Sequence, residues 1–453
     1  MFRKFTCIAI TLGFANVAEA NIVRLEISRT EPFAASQPFG AVGAYEKIIG
    51  IAHGELDPAH PLNSNITDID KAPRNAADKV EYSSAFVILK PADMSKSNGA
   101  LLYDVNNRGN MRALVQFNSA AGSNDPSTPE HGGNGFLMRQ AYSILWSGWI
   151  PNLPNDVYLK LNTPVAQGVE AEIWDEFLFN NREGGRAALS YSAITRDTKQ
   201  AKLYVRKSNA DEPQLLSPDK WEFTGDRLIR LLPEGERFQM GSIYQIVYRA
   251  RNSPVAGIGF AATRDLVAFL RRQSDSKTNP LAHNGQVSIS RTLAHGTSQS
   301  GRYLRDFLYR GFNEDENNRI VFDGMNPHVA TGRLFLNFRF AQPNRMLHIA
   351  HGFQYFPDIS FPFAYGDSKD PFSDKTEGIL TRCTARNTCP KILHTNTGTE
   401  YWQSGQSLVT TDPAGKTDAP VPAKCTHLPF RLNAARRAGD NAKGGLRHAP
   451  QHA

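Results

Sequence analysis

The spacing of apolar positions changes along this chain, and the changes mark its elements. Near the N-terminus the runs IVRLEIS (22–28), YEKIIGIAHGEL (45–56) and SSAFVILK (83–90) are separated by Pro and Asn turns, which predicts a strand-rich opening. Ala100 to Val105 is a short apolar run of the kind a parallel sheet buries on both faces, and it ends in Asn106-Asn107-Arg108-Gly109-Asn110. A helical segment with Phe136, Leu137, Gln140 and Ala141 then leads into a second buried strand, YSILWSGW (142–149). From about 151 to 240 polar hairpin-like pieces such as AKLYVRKS and WEFTGDRLIRLLPEGERF interrupt the alternation, so this stretch is expected to be an insertion or cap over the sheet. The alternation resumes with SIYQIVYRA (242–250) as a strand. A helix follows over 259–272, with Phe260, Thr263, Leu266, Val267 and Leu270 on one face.

The sharpest change of period lies between Val287 and Gly311. Val287, Ile289, Thr292 and Leu293 read as a strand; Gly296-Thr297-Ser298-Gln299-Ser300-Gly301 follows. A helix then carries Leu304, Phe307 and Leu308 and stops at Gly311. A strand, a tight turn with a central serine and a helix make a nucleophile elbow, in which bulk two residues from the serine would strike the packed backbone. Gly296 meets that need on one side, and Ser300 stands where the common pattern has glycine. The alternative is a serine that merely caps the helix. Beyond the elbow, 319–322 reads as a strand ending at Asp323-Gly324, and 342–375 as aromatic, Pro-rich loops near the site. Residues 391–395 read as one more strand, leading to Glu400. Strands alternating with helices predict an α/β fold with a mostly parallel central sheet and helices on both faces.

Composition narrows the class. The chain of 453 residues is 40% hydrophobic and 21% charged, which describes a globular protein. It has no apolar stretch of about 20 residues, so no membrane span is expected. Arg3 and Lys4, an apolar run from Phe5 to Val17 and Ala18-Glu19-Ala20 form a secretory signal with cleavage after Ala20, so a secreted or periplasmic bacterial protein is expected. Cys383 and Cys389 flank a short polar loop and can close a disulfide in that compartment, leaving Cys425 unpaired. A zinc site needs more ligands than this pair offers, so no metal is expected, nor any cofactor. The net charge of +7 does not imply a nucleic-acid partner. Residues 424–453 hold six Lys and Arg against Asp440, and the remaining body is close to neutral.

A serine hydroxyl needs a base, an acid to orient that base, and donors for the developing oxyanion. The backbone N–H of Gln299 is one expected donor. The loop holding Asn107 and Gly109 is expected to supply the second. Two carboxylates follow strands after the elbow, Glu400 and Asp323; Glu400 is preferred because its strand comes later, and Asp323 stays as the alternative. Expected, then, is an esterase-like serine hydrolase acting on small-molecule esters through an acyl-enzyme. The aromatic stretch from Phe353 to Phe372 also admits a polysaccharide-binding module.

The segments GTSQSGRYLRDFLYRGFN, YDVNNRGN, GIGFAATRDLVAFLRR, VFDGMNPHVA and CPKILHTNTGTEYWQSG resemble the "alpha/beta hydrolase domain" family of exported bacterial proteins. The resemblance runs from Asn21 to Val421. It implies an α/β-hydrolase fold, Ser298 as nucleophile, Glu400 as acid and esterase-like activity. That family ends in a last strand followed by Gly-(Ala/Ser)-Thr-Gln-His-Gly, which carries the base. Here residues 424–453 hold neither, so the domain is expected to span 21–423, with its last strand lost and an aberrant, disordered basic tail beyond. His427 is a weak substitute base, and His448 and His452 lie in the tail. One set of codons for Ala423 to Arg436, read one nucleotide forward, translates as QNVRIYLFGSTQHG, a strand with the family's motif. The sequence therefore carries two readings: a serine hydrolase, or a hydrolase-like protein lacking its base that at most binds ligand.

Overall fold

In the computed structural model the described residues are 21–154, 156–179, 184–330, 332–343 and 359–430. The expected signal (1–20), most of the aromatic stretch between 344 and 358, and the tail from 431 lie outside them.

The strand-rich opening forms as its pattern requires. Strands β1 (Ile22–Pro32), β2 (Tyr45–Leu56) and β3 (Val80–Pro91) pair antiparallel in sequence order. β3 continues antiparallel onto β5 (Ser143–Ser147), which runs parallel to β4 (Ala100–Asp104). Both β4 and β5 are buried at every residue, the signature of a strand covered on both faces. Three short helices, α1 (Ala113–Asn118), α2 (Pro129–Gly132) and α3 (Phe136–Arg139), cover one face there, over a core that includes Leu102, Met138 and Trp146.

The stretch expected as a cap is a separate β unit, with different limits. β6 (Leu161–Asn162) still pairs with β3. Beyond it, β7 (Glu170–Leu178), β8 (Ala187–Ala188), β9 (Ser192–Ala193), β10 (Lys202–Arg206), β11 (Gln214–Leu216), β12 (Trp221–Gly225) and β13 (Leu228–Leu231) build two antiparallel sheets. The strand expected to resume the main alternation, β14 (Ile243–Arg251), belongs to this unit. It pairs with β7 along its whole length and with β10 on its other side, so the insertion ends near 251 and not near 240. Nine antiparallel partners on β7 outweigh any pairing that a single exposed edge of the main sheet could offer.

Helix α4 (Ile258–Arg272) returns the chain to the main sheet and is buried along almost its entire length. After two short hairpin strands, β15 (Ala282–His283) and β16 (Gln286–Val287), come β17 (Arg291–Thr297) and helix α5 (Gln299–Tyr309). β17 lies parallel between β4 and β18 (Gly324–His328). Residues 319–322 do not form the expected strand. Asn313 takes the backbone of Phe322 instead, its Oδ1 accepting from Phe322 N at 2.9 Å and its Nδ2 donating to Phe322 O at 3.0 Å, so pairing with β17 begins just past Asp323. Phe322, Phe307, Phe312, Phe260 and Tyr303 then pack as one aromatic cluster between α4, α5 and the sheet.

The chain continues through a small hairpin, β19 (Ser368–Lys369) with β20 (Thr376–Glu377), and helix α6 (Thr381–Ala385) to β21 (Lys391–Thr397) and helix α7 (Gly398–Gln403). The last strand, expected to be lost, is present: β22 (Cys425–Phe430) pairs parallel with β21 from Ile392 to Thr397. Proline inside CTHLPF hides this strand from a propensity reading, but an edge strand tolerates proline where no ladder bond is required of it. Six strands, in the order β5-β4-β17-β18-β21-β22, are therefore parallel, and three at the other edge are antiparallel. Among the described residues, helices cover both faces around β4 and β5. On the α1–α3 face over β17, β18 and β21, the described residues leave an apolar groove of about 600 Å³ lined by Phe117, Leu293, Met325 and Leu393.

Candidate functional site

All six parallel strands point their carboxyl ends to one side, and the junction of β17 with α5 lies there. Ser298 is the single residue between strand and helix, with φ 57° and ψ −116°, a conformation that costs a residue with a Cβ on the order of 1–3 kcal/mol. Its surroundings hold it in place. Ser298 N–H donates to the His328 carbonyl at 2.8 Å, and Arg302 N–H donates to the Ser298 carbonyl at 2.9 Å. The closeness that sequence reasoning demanded is visible at both flanking glycines. A Cβ on Gly296 would lie 2.4 Å from the Ser300 carbonyl oxygen, and one on Gly301 would lie 2.7 Å from Ala330 Cβ. The Ser298 side chain itself is exposed, and its hydroxyl makes no hydrogen bond among the described residues.

Ser300, the departure from the glycine of the common pattern, has a task. It is fully buried, and its Oγ donates to the Asn106 carbonyl at 3.1 Å, which fastens the elbow to the loop after β4. The same carbonyl accepts from Trp149 Nε1 at 2.9 Å, and Asn106 Nδ2 donates to the Ser147 carbonyl. Asn107 Nδ2 reaches the Thr297 carbonyl at 3.3 Å. The 106–110 loop therefore stands beside Ser298, as the sequence predicts.

The expected oxyanion donors divide on closer inspection. Gln299 opens α5, so its N–H has no carbonyl one turn back to bond and points out of the helix N-terminus. Its side chain is buried, with Nε2 donating to the Pro343 carbonyl. In the loop, however, the Asn107 N–H already donates to Asn110 O at 2.9 Å, and the Gly109 N–H to Asn106 Oδ1 at 2.8 Å. Those two backbone donors are spent on shaping the turn. Arg108, which lies between them with φ 52°, was not singled out by the sequence.

The two carboxylates part company. Glu400 sits in the first turn of α7, just past the carboxyl end of β21, with its N–H on Thr397 Oγ1 at 3.3 Å. Its strand is two places from β17, roughly 10 Å away at the usual strand spacing, which leaves room for one imidazole between the groups. Asp323 lies at the other end of the sheet. It accepts from Thr292 N–H at 2.8 Å and pairs with Arg271 at 3.0 Å, six residues down β17 from Ser298 and roughly 20 Å away. Asp323 thus binds the amino end of the sheet together and is not brought to the serine.

Among the described residues no imidazole bonds to the Ser298 hydroxyl. His427 lies in mid-β22 opposite His394, with its ring 5.6 Å from those of both His394 and Tyr365, and its Nδ1 is buried without a partner. His394 in turn accepts or donates to Tyr365 Oη at 2.8 Å, and Arg305 lies over the Tyr365 ring. Burial, then the Arg305 charge, lowers the pKa of both histidines. This is a packed polar cluster against Arg305 of α5, on strands two and three places from β17. His328, which the sequence reading passed over, does reach the elbow through its carbonyl. Its ring bonds to Thr395 Oγ1 at 2.9 Å and lies 6.5 Å from that of His295. His295 is held between Asn326 and Gln116, at 2.8 Å on either side. Burial lowers both of their pKa values. His351, His448 and His452 lie outside the described residues.

Cys383 and Cys389 are joined in a disulfide, and Cys425 is free and buried, with its thiol pushed up to about 12 by burial. Among the described residues no group of three or more potential metal ligands occurs, and no helix is long and apolar enough to cross a membrane. Compared with known families, residues 232–416 match the family model described as "Alpha/beta hydrolase domain". No curated protein matches the chain.

Proposed function

With residues 232–416 matching the family model of an alpha/beta hydrolase domain, we propose that this protein is an exported serine hydrolase that cleaves small carboxylic esters through an acyl-enzyme on Ser298. The observation that carries the reading is the exposed Ser298 held at φ 57° between β17 and α5, a strained placement that a capping serine does not need. On this reading the Gln299 N–H at the start of α5 is an oxyanion donor, and Glu400 in the first turn past β21 is the acid. The Cys383–Cys389 disulfide suits an oxidising compartment, in keeping with a leader removed after Ala20.

A second reading has its own support. The described residues bring no imidazole to Ser298 Oγ, and β22 occupies the place where QNVRIYLFGSTQHG would put an alternating strand and then a histidine. On this reading the chain is a hydrolase scaffold without its base. Fluorophosphonate labelling followed by peptide mapping separates the two. Stoichiometric label on Ser298, lost in Ser298→Ala and slowed in Glu400→Gln, supports the hydrolase. Residual ester cleavage alone does not decide, because an oxyanion hole without a full triad retains about 10³–10⁴-fold catalysis over water. A Ser298 that stays unlabelled while the fold is intact favours the scaffold.

A further inference from the structure

Arg108 is the one group in the 106–110 loop whose placement neither the turn nor the elbow explains. The turn is closed by its neighbours: Asn106 Oδ1 accepts from Gly109 N–H, and Asn107 and Asn110 exchange backbone bonds. The loop is fastened to the elbow by Ser300 Oγ and Asn107 Nδ2. Arg108 contributes to none of these contacts. It adopts φ 52°, a backbone state that an arginine reaches only at a cost. Gly109 beside it has φ 87° and no room for a Cβ, which would lie 2.3 Å from Val157 Cγ1, so the loop needs glycine there.

The guanidinium is in an equally costly position. Among the described residues its hydrogen bond is from Nη1 to Asn107 Oδ1 at 3.1 Å, while Nε is buried with no partner. No carboxylate of the described residues pairs with it. Burial, and then repulsion from Arg302 one turn along α5 from Ser298, pulls its pKa down to about 10. A guanidinium partly withdrawn from water with no carboxylate partner among the described residues is held at a cost, and a bound anion would complete it. Nε is enclosed, so an incoming carboxylate would meet the Nη edge of the guanidinium, the other side on which its fork takes a planar carboxylate in two parallel bonds.

We propose that Arg108 is the anion-recognition residue of this site, and that the ligand carries a free carboxylate beside the group presented to Ser298. The substrate class is then a half-ester of a short dicarboxylic acid, or an ester of a hydroxy acid, and not a neutral fatty-acyl ester. The assignment rests on reading this face as the ligand site, but not on whether Ser298 is activated. Arg302 adds to the positive field without being required for the fork.

The test is binding, so it does not need turnover. Glutaramate and its neutral isostere glutaramide are titrated calorimetrically into the full chain and into Arg108→Gln, at low and at high salt. Expected is at least tenfold tighter binding of glutaramate by the unaltered chain, weakened by salt, with the preference gone in Arg108→Gln. Because the substitution removes a half-buried charge with no carboxylate partner among the described residues, Arg108→Gln without ligand is expected to melt at the same temperature or higher. Equal affinity for the two ligands, binding of neither, a preference that survives in Arg108→Gln, or a markedly lower melting temperature for that variant would each overturn the proposal. Fluorophosphonate labelling of the same samples reports separately on Ser298. An unlabelled serine with an intact tenfold preference counts against the hydrolase reading alone.

Discussion

Replacing Gly296 with alanine places a methyl carbon inside the turn that positions Ser298. The added carbon would lie 2.4 Å from the Ser300 carbonyl oxygen, 2.6 Å from its carbonyl carbon and 2.9 Å from Gly301 N. Non-bonded carbons prefer about 3.5–4.0 Å, so the overlap is roughly 1 Å, and every atom it meets is backbone in the first turn of α5. No side chain can swing away. Either the start of α5 moves or the turn opens, and Ser300 Oγ on Asn106 and Ser298 N–H on His328 resist both motions. Overpacking of this kind costs about 1–3 kcal/mol. If the proposed hydrolase reading holds, the same shift carries Gln299 N–H away from the substrate carbonyl, and a displacement near 1 Å at such a group costs on the order of 10²-fold in rate. Urea unfolding measures the first effect, and the rate of fluorophosphonate labelling measures the second. Gly225→Ala is the control, since a Cβ there meets nothing within 4 Å, and it should stay within about 0.5 kcal/mol of the unaltered chain. If Gly296→Ala loses no more stability than Gly225→Ala and labels as fast, the elbow is not tight and the reasoning built on it fails.

Four further outcomes follow from the same geometry. Ser298→Gly relieves a strained φ of 57°, so it is expected to hold or raise stability by up to about 1 kcal/mol while abolishing labelling; a clear drop in its urea midpoint would argue against stored strain. Burial lowers the pKa values of His295, His328, His394 and His427, so the folded chain keeps them neutral while an unfolded chain protonates them near pH 6.5. Stability is then fully kept above about pH 6.5 and falls as pH drops through that value toward the depressed folded values; a urea midpoint that stays flat from pH 8 to pH 5 contradicts this. Cys383→Ser opens a small loop and is expected to cost about 2 kcal/mol by loop entropy, read as a lower midpoint that reductant does not lower further. Replacing residues 423–436 with QNVRIYLFGSTQHG should raise ester hydrolysis by about 10²–10⁴-fold by restoring a base, and codons in the gene incompatible with that shifted frame would end the idea.

Much of the candidate site was legible because the elbow is a local device. Its strand, its small residues and its helix are consecutive, so their order alone placed Ser298, and the carboxyl end of the next strands placed Glu400. The first glycine-poor feature, Ser300, could be read only as tolerated, because its partner Asn106 is 194 residues away. Arg108 was invisible for a similar reason. Nothing in NNRGN distinguishes a solvated arginine from one whose Nε is enclosed, since enclosure comes from elements that meet only in three dimensions.

By itself, then, the order of residues determined the short-range matters: which stretches alternate, where the strained turn falls, which cysteines lie close enough to join. Tertiary structure decided partnership. It sent Ile243–Arg251 to the cap because β7 offered a full antiparallel partner, and it turned Asp323 toward Arg271 at the far end of the sheet. It also made a strand of Cys425–Phe430, proline included, because the exposed edge of β21 supplied hydrogen bonds that intrinsic propensity does not foresee. Backbone groups must find partners wherever the fold leaves them unpaired, and that demand is set by the whole sheet and not by any window of the chain.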